Sequence, residues 1–249
     1  MLHVGAVPPD SPSSSPWSAS SAGPLSAADR REPWAWFERG RGVTPYQPVD
    51  DDGATPDPNG CRAKLAMLRA APLDLSGAAV VSFGAHSGYY EYHLARLARD
   101  VRALHLVDTS ATALAAARAR CAPLSIADCQ TFECPAARFS FARNYDICLL
   151  LSVWHHYDRL GATLRARGIE LLRAIGRHCR VLAFETGQSD DRQRGAEHWP
   201  LLLDMATAPT PADWIERQIP AWTGYDAWRC LGANPATGRL LYLFYRRDV

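Results

Sequence analysis

Two adjacent histidines, His155 and His156, follow the apolar run ICLLL in the segment NYDICLLLSVWHHYD. Imidazole takes and gives a proton near neutral pH, since its ordinary pKa is about 6.5, so a histidine at the end of an apolar strand suits general-base chemistry. Either ring can equally be a structural group bonded to a carbonyl. Downstream, VLAFETGQ ends a second apolar run on Glu185. Upstream, AVVSFGAHSG sets Gly84, His86 and Gly88 in a turn between a strand-like run and a helix-like one, where backbone N–H groups and the positive helix end can meet a polar ligand. Twenty residues after Gly88, ALHLVD ends on Asp108, whose carboxylate can accept both hydroxyls of a ribose or can cap the helix that begins near Ala111. His86, one of the paired histidines and Glu185 would make a reasonable metal set. Adjacent histidines on an extended segment point to opposite sides, however, so no metal site is expected.

These residues need a scaffold that brings strand ends together. Ala79–Phe83, Ala103–Val107, Ile147–Leu151 and Val181–Glu185 are near-continuous apolar runs, the pattern of parallel strands covered on both faces. Helical patterns lie before and between them, at 61–71, Tyr89–Asp100, Ala111–Cys121 and Leu160–Arg177. Tyr225–Leu231 and Arg239–Arg246, joined by GANPATG, read as a hairpin. The fold class is therefore α/β: a doubly wound, mostly parallel sheet with helices on both faces and a C-terminal antiparallel hairpin. In such a sheet, ligands bind at the carboxyl ends of the strands.

Over roughly Asp74 to Arg247 the chain resembles the class I (Rossmann-like) S-adenosylmethionine-dependent methyltransferases. Their first motif is an acid followed by alternating glycines. Here Ser82 stands at the acid and Gly84, His86 and Gly88 at the glycines, so two of four positions depart. The resemblance implies the cofactor S-adenosyl-L-methionine, held by Ser82, Gly84, Ala85, His86, Ser87, Gly88, Asp108 and Thr109. It further implies Asp128, Cys129 or Gln130 of LSIADCQTF beside the adenine, and Ser152 after the fourth strand. His156, ahead of His155, is the implied general base, and Glu185 an implied substrate contact. FETGQ also resembles the acidic edge in relatives of the tRNA wobble-uridine carboxymethyltransferase type and in small-molecule methyltransferases, and RGVTPYQP resembles the segment that in those relatives precedes the fold and lies against the cofactor.

The expected function is methyl transfer to a small organic molecule. Because Ser82 offers no carboxylate and His86 brings a side chain to a glycine position, two alternatives stay open. One is a binding or scaffold protein without transfer activity; the other is a same-fold enzyme that uses the cofactor without spending its methyl.

Composition narrows the partners. The 27 basic residues, 26 arginines and the single Lys64, nearly balance 26 acidic ones, which gives no sustained positive field for nucleic acid. A local patch of Arg138, Arg143, Arg165 and Arg167 leaves RNA disfavoured, not excluded. Seven cysteines without a CxxC pair suggest reduced thiols, and no run approaches the roughly 18 apolar residues of a membrane span, so a cytoplasmic protein is expected. Residues 1–28, rich in Pro and Ser, read as a disordered tail. Residues 29–60, with Trp34, Trp36, Phe37 and Tyr46, read as a segment that packs on the domain, and 61–249 as the methyltransferase-like domain. The tryptophans 199, 214, 222 and 228 are read mostly as core.

Overall fold

A computed structural model describes residues 46–48, 56–159, 162–188, 205 and 207–247. The expected tail, most of the aromatic segment with Trp34, Trp36 and Phe37, Trp199 and the helix start at Leu160 lie outside the described residues. In chain order the elements are α1 (Cys61–Ala70), β1 (Ala79–Phe83), α2 (Tyr89–Ala95), β2 (Ala103–Asp108), α3 (Ala111–Cys121), β3 (Cys129–Glu133), β4 (Tyr145–Leu151), α4 (Trp154–Arg159), α5 (Ala162–His178), β5 (Cys179–Glu185), α6 (Pro211–Thr223), β6 (Ala227–Ala233) and β7 (Leu240–Tyr245).

One seven-stranded sheet runs in the order β3-β2-β1-β4-β5-β7-β6. The first five strands are parallel, β7 pairs antiparallel with β5, and β6 antiparallel with β7. The doubly wound sheet with its terminal hairpin is thus the one the apolar runs predict. Alternation sorts each strand into two cores: Ala79, Val81 and Phe83 face one side with Trp154, Leu172 and Trp214 of α4, α5 and α6. Val80 faces the other, against Leu65, Tyr89 and Leu114 of α1, α2 and α3. Burial of both faces is why these strands read as continuous apolar text.

Several expectations need correction. Helix α2 ends at Ala95, short of Asp100, because Arg96 to Arg99 turn the chain and Asp100 takes a positive φ of 54°. The strand β3 is half exposed at the sheet edge, so CQTFE carries no apolar run. His155 and His156 are on a helix, not on an extended segment: Ser152, at φ 59°, ends the strand and α4 begins at Trp154. Trp214 is buried, whereas Trp228 is exposed on the edge strand. Among the described residues no helix is long and apolar enough to cross a membrane.

Candidate active site

At the carboxyl ends of the parallel strands lies a cleft of about 490 Å³. A cleft of that size takes a ligand of several hundred daltons. Its wall begins at the turn after β1, where Gly84 adopts φ 68° and a Cβ there would meet Val153 Cγ2 at 2.4 Å. Only glycine fits. His86 also takes a left-handed conformation, φ 50°, at a cost of about 1–2 kcal/mol for a residue with a side chain. Of the four non-glycine residues with positive φ among the described residues, two, His86 and Ser152, line this cleft, and strain of this kind gathers at binding sites.

Asp108, at the tip of β2, holds the turn. Its Oδ2 accepts the backbone N–H of His86 at 2.9 Å and its Oδ1 that of Ser110 at 2.9 Å. The helix cap that Asp108 could have supplied comes instead from Ser110, whose Oγ accepts the N–H of Ala113 at 3.2 Å. Asp108 and Thr109 both line the cleft. Ser82 on β1, and Ala85, Ser87 and Gly88 of the turn, lie behind the wall. Ser82 and Ser87 are buried; Ser82 is hydrogen-bonded to Glu91 of α2, and Ser87 donates to Gln47 Oε1 at 2.8 Å. Gln47 also accepts the N–H of Tyr89, so Tyr46–Pro48 pack on the glycine turn, and the Tyr46 ring lies 5.7 Å from that of His86.

Asp128 and Cys129 are not at the site. Parallel pairing sets Cys129 against Leu104, at the amino ends of β3 and β2, one strand length from Asp108 and its partner Glu133. Asp128 instead pairs with His105 and Arg143, and Gln130 turns back to it. The residues that reach the cleft from β3 are Cys134, Pro135 and Ala136, beyond its carboxyl end.

The two histidines converge. Both line the cleft, their ring centroids 4.2 Å apart. They differ in what holds them. His155 is buried, and its Nδ1 accepts the backbone N–H of Gly187 at 3.0 Å. A neutral ring that accepts at Nδ1 carries its hydrogen on Nε2. His156 is exposed on the cleft side.

Glu185 does not contact the cleft. It is fully buried, with Lys64 Nζ at 2.8 Å from Oε2 and Arg239 Nη1 at 3.5 Å from Oε1. Burial alone would push its carboxyl up, but the Lys64 and Arg239 charges and the hydrogen bonds from Lys64 and Ser152 hold it below its ordinary value. Ser152 joins the group: its Oγ donates to Glu185 Oε2 at 2.6 Å and accepts from Lys64 at 3.2 Å and Arg239 at 3.3 Å. Burial pushes the Tyr46 hydroxyl above its ordinary range, a rise that the nearby Lys64 opposes. Tyr46, Ser152 and Arg239 are the members of this cluster that line the cleft. Lys64 and Arg239 were absent from the expected site, whereas Tyr46 belongs to the RGVTPYQP segment that the resemblance sets against the cofactor. The one signal for Lys64 was its being the single lysine in an arginine-rich chain.

No protein-family model and no curated protein sequence matches the chain. Solved structures do. The N-methyltransferase NodS from Bradyrhizobium japonicum WM9, in complex with S-adenosyl-L-homocysteine, is 15% identical over 86% of this chain and 98% of that one, with a TM-score of 0.53. The bifunctional kinase-methyltransferase WbdD is 17% identical over 76% of this chain, with a TM-score of 0.52; the chain spans 40% of WbdD's length. These likenesses show a class I methyltransferase fold.

Proposed function

We propose that this chain, built on the class I methyltransferase fold, binds S-adenosyl-L-methionine in the cleft at the strand ends and transfers its methyl to a small organic molecule. Support rests first on Asp108. Its carboxylate lines the cleft at the tip of the strand beside the glycine turn, and Ser110 relieves it of the capping role. Each oxygen takes one backbone N–H and keeps acceptor capacity for a ribose hydroxyl. Gly84 and Thr109 would flank the nucleoside, and Cys134 to Ala136 the base. The Tyr46, Ser152 and Arg239 cluster carries donors suited to the carboxylate of an amino acid. The bound cofactor supplies an electrophilic methyl on a sulfonium. The chain's own task is then to align a nucleophile and remove its proton.

His156 is the better base of the pair, because a neutral His155 held at Nδ1 already carries its hydrogen on Nε2 and is suited to donate to substrate. A small-molecule substrate agrees with the near-neutral charge of the chain and the size of the cleft.

The test is calorimetric titration with S-adenosylmethionine and with its demethylated product. Micromolar binding to the native chain, lowered in Asp108→Ala by about 1.5–3 kcal/mol for a charge-assisted bond, is the expected result. Absence of binding by either ligand would defeat the proposal. Unchanged affinity in Asp108→Ala would remove only the ribose role.

A further inference from the structure

Beneath the glycine turn lies a carboxyl group that neither the expected site nor the proposed chemistry uses. Glu91, in the first turn of α2, is 1% exposed. One of its oxygens is hydrogen-bonded to the hydroxyl of Ser82 on β1, itself 2% exposed. The other, Oε2, has no hydrogen-bond partner among the described residues. An acid buried this way without an ion pair is held with its charge suppressed, and any cation brought near favours the ionised form. Its surroundings are one-sided. Arg120 of α3 is near enough to lower its pKa, but it also reaches toward Ser87 and Pro48. Asp108 of β2 opposes that effect, and Cys121 of α3 is buried nearby. Through the Ser82 hydroxyl, Glu91 is joined to the end of β1, two residues before Gly84 in the cleft wall.

We propose that Glu91 is the group through which the cleft distinguishes a sulfonium-bearing ligand from one with a neutral sulfur, by releasing a proton when the positive charge enters. This deepens the proposed function and rests on it. The carboxylate that Ser82 does not provide is thereby delivered to Ser82 from nine residues further along. Burial, the largest influence, pushes the Glu91 carboxyl up to about 7, against the opposing effect of Ser82, so its proton is exchangeable near neutral pH. On transfer, the S–CH₃ bond breaks with its electron pair left on sulfur and the methyl bonds to the nucleophile, whose proton goes to the base. Glu91 then recovers its proton from solvent and ceases to favour the bound state. The device favours charged cofactor over spent product, and more strongly at higher pH.

The test compares S-adenosylmethionine with S-adenosylhomocysteine on the full chain by calorimetry from pH 5.5 to 8, in buffers of different ionisation enthalpy. The native chain should release a fraction of a proton with the methylated ligand beyond that released with the product. Its preference for the methylated ligand should rise with pH by up to about tenfold, the change for a one-unit shift in the pKa of Glu91. Glu91→Gln keeps a hydrogen bond to Ser82 but cannot ionise, and should remove the extra proton and that part of the pH dependence. His86, on the turn, and the ligands' own amines are common to both proteins and cancel in the comparison. Ser82→Ala removes the bond that favours ionisation, and should move the midpoint to higher pH. A preference with the same pH dependence in native chain and Glu91→Gln overturns the proposal. Should Glu91→Gln not fold, an unmoved midpoint in Ser82→Ala overturns it instead. If the product binds neither protein at any pH, the cofactor site itself fails, a result distinct from loss of discrimination alone.

Discussion

Lys64 Nζ lies 2.8 Å from Glu185 Oε2, and neither side chain reaches solvent. The pair ties α1 to the end of β5, and through the Ser152 hydroxyl it fixes the end of β4, where the chain turns into the cleft. A buried pair of this kind reveals its weight when one member is removed, because the other is left charged in a poor solvent.

Lys64→Met should therefore destabilise the fold by about 3–5 kcal/mol in denaturant titration at neutral pH. The sign with pH follows from Glu185. Its carboxyl is held below the ordinary value, so its contribution is present above the ordinary carboxylate range and lost as pH falls through the lowered one. The difference between native chain and variant should shrink on acidification. A loss under about 1 kcal/mol at neutral pH would show that the surroundings do not depend on the pair.

His156→Ala should reduce turnover by about 10²-fold or more with little change in cofactor affinity, as expected for loss of a base. His155→Ala should behave differently. It removes the acceptor for the Gly187 N–H and the ring nitrogen 3.4 Å from Thr186 Oγ1, so stability should fall by about 1–3 kcal/mol alongside activity. Melting curves beside steady-state rates separate the two. Equal stability loss in both variants would remove the distinction between the two histidines.

Glu91 has a signature in the ligand-free protein too. Its folded pKa is raised from 4.5 to about 7, so its contribution to stability is full at acid pH and lost as pH rises toward and through 7. The interval corresponds to about 3 kcal/mol. Glu91→Gln should be less sensitive to pH between 5 and 8 than the native chain by an amount of that order. Parallel stability profiles for the two proteins would place the Glu91 carboxyl in its ordinary range.

Much of this architecture is legible in the residues, and what is not has physical reasons. β1, β2, β4 and β5 are buried on both faces and so appear as apolar runs, whereas β3 at the edge has half-exposed side chains and no such run. Gly84 and Asp108 could be read because strand ends set them in a known relation. Asp128 was misread because a strand that does not show in the text hides which of its ends faces the cleft. The left-handed Ser152 turns an apparent extended SVWHH into a helix start, and nothing in a serine announces that. Lys64 and Glu185 are 121 positions apart, and only the folded packing of α1 against the sheet brings them together.

The burial of Lys64 has one more consequence. The chain's single ε-amine is sealed inside the fold against a carboxylate, a hydroxyl and the face of Tyr90. An acylating reagent therefore meets no lysine on the native surface. Adduct at Lys64 would accumulate only as fast as α1 lifts from the sheet, which makes this one side chain a built-in clock for the opening of the wall behind the cleft.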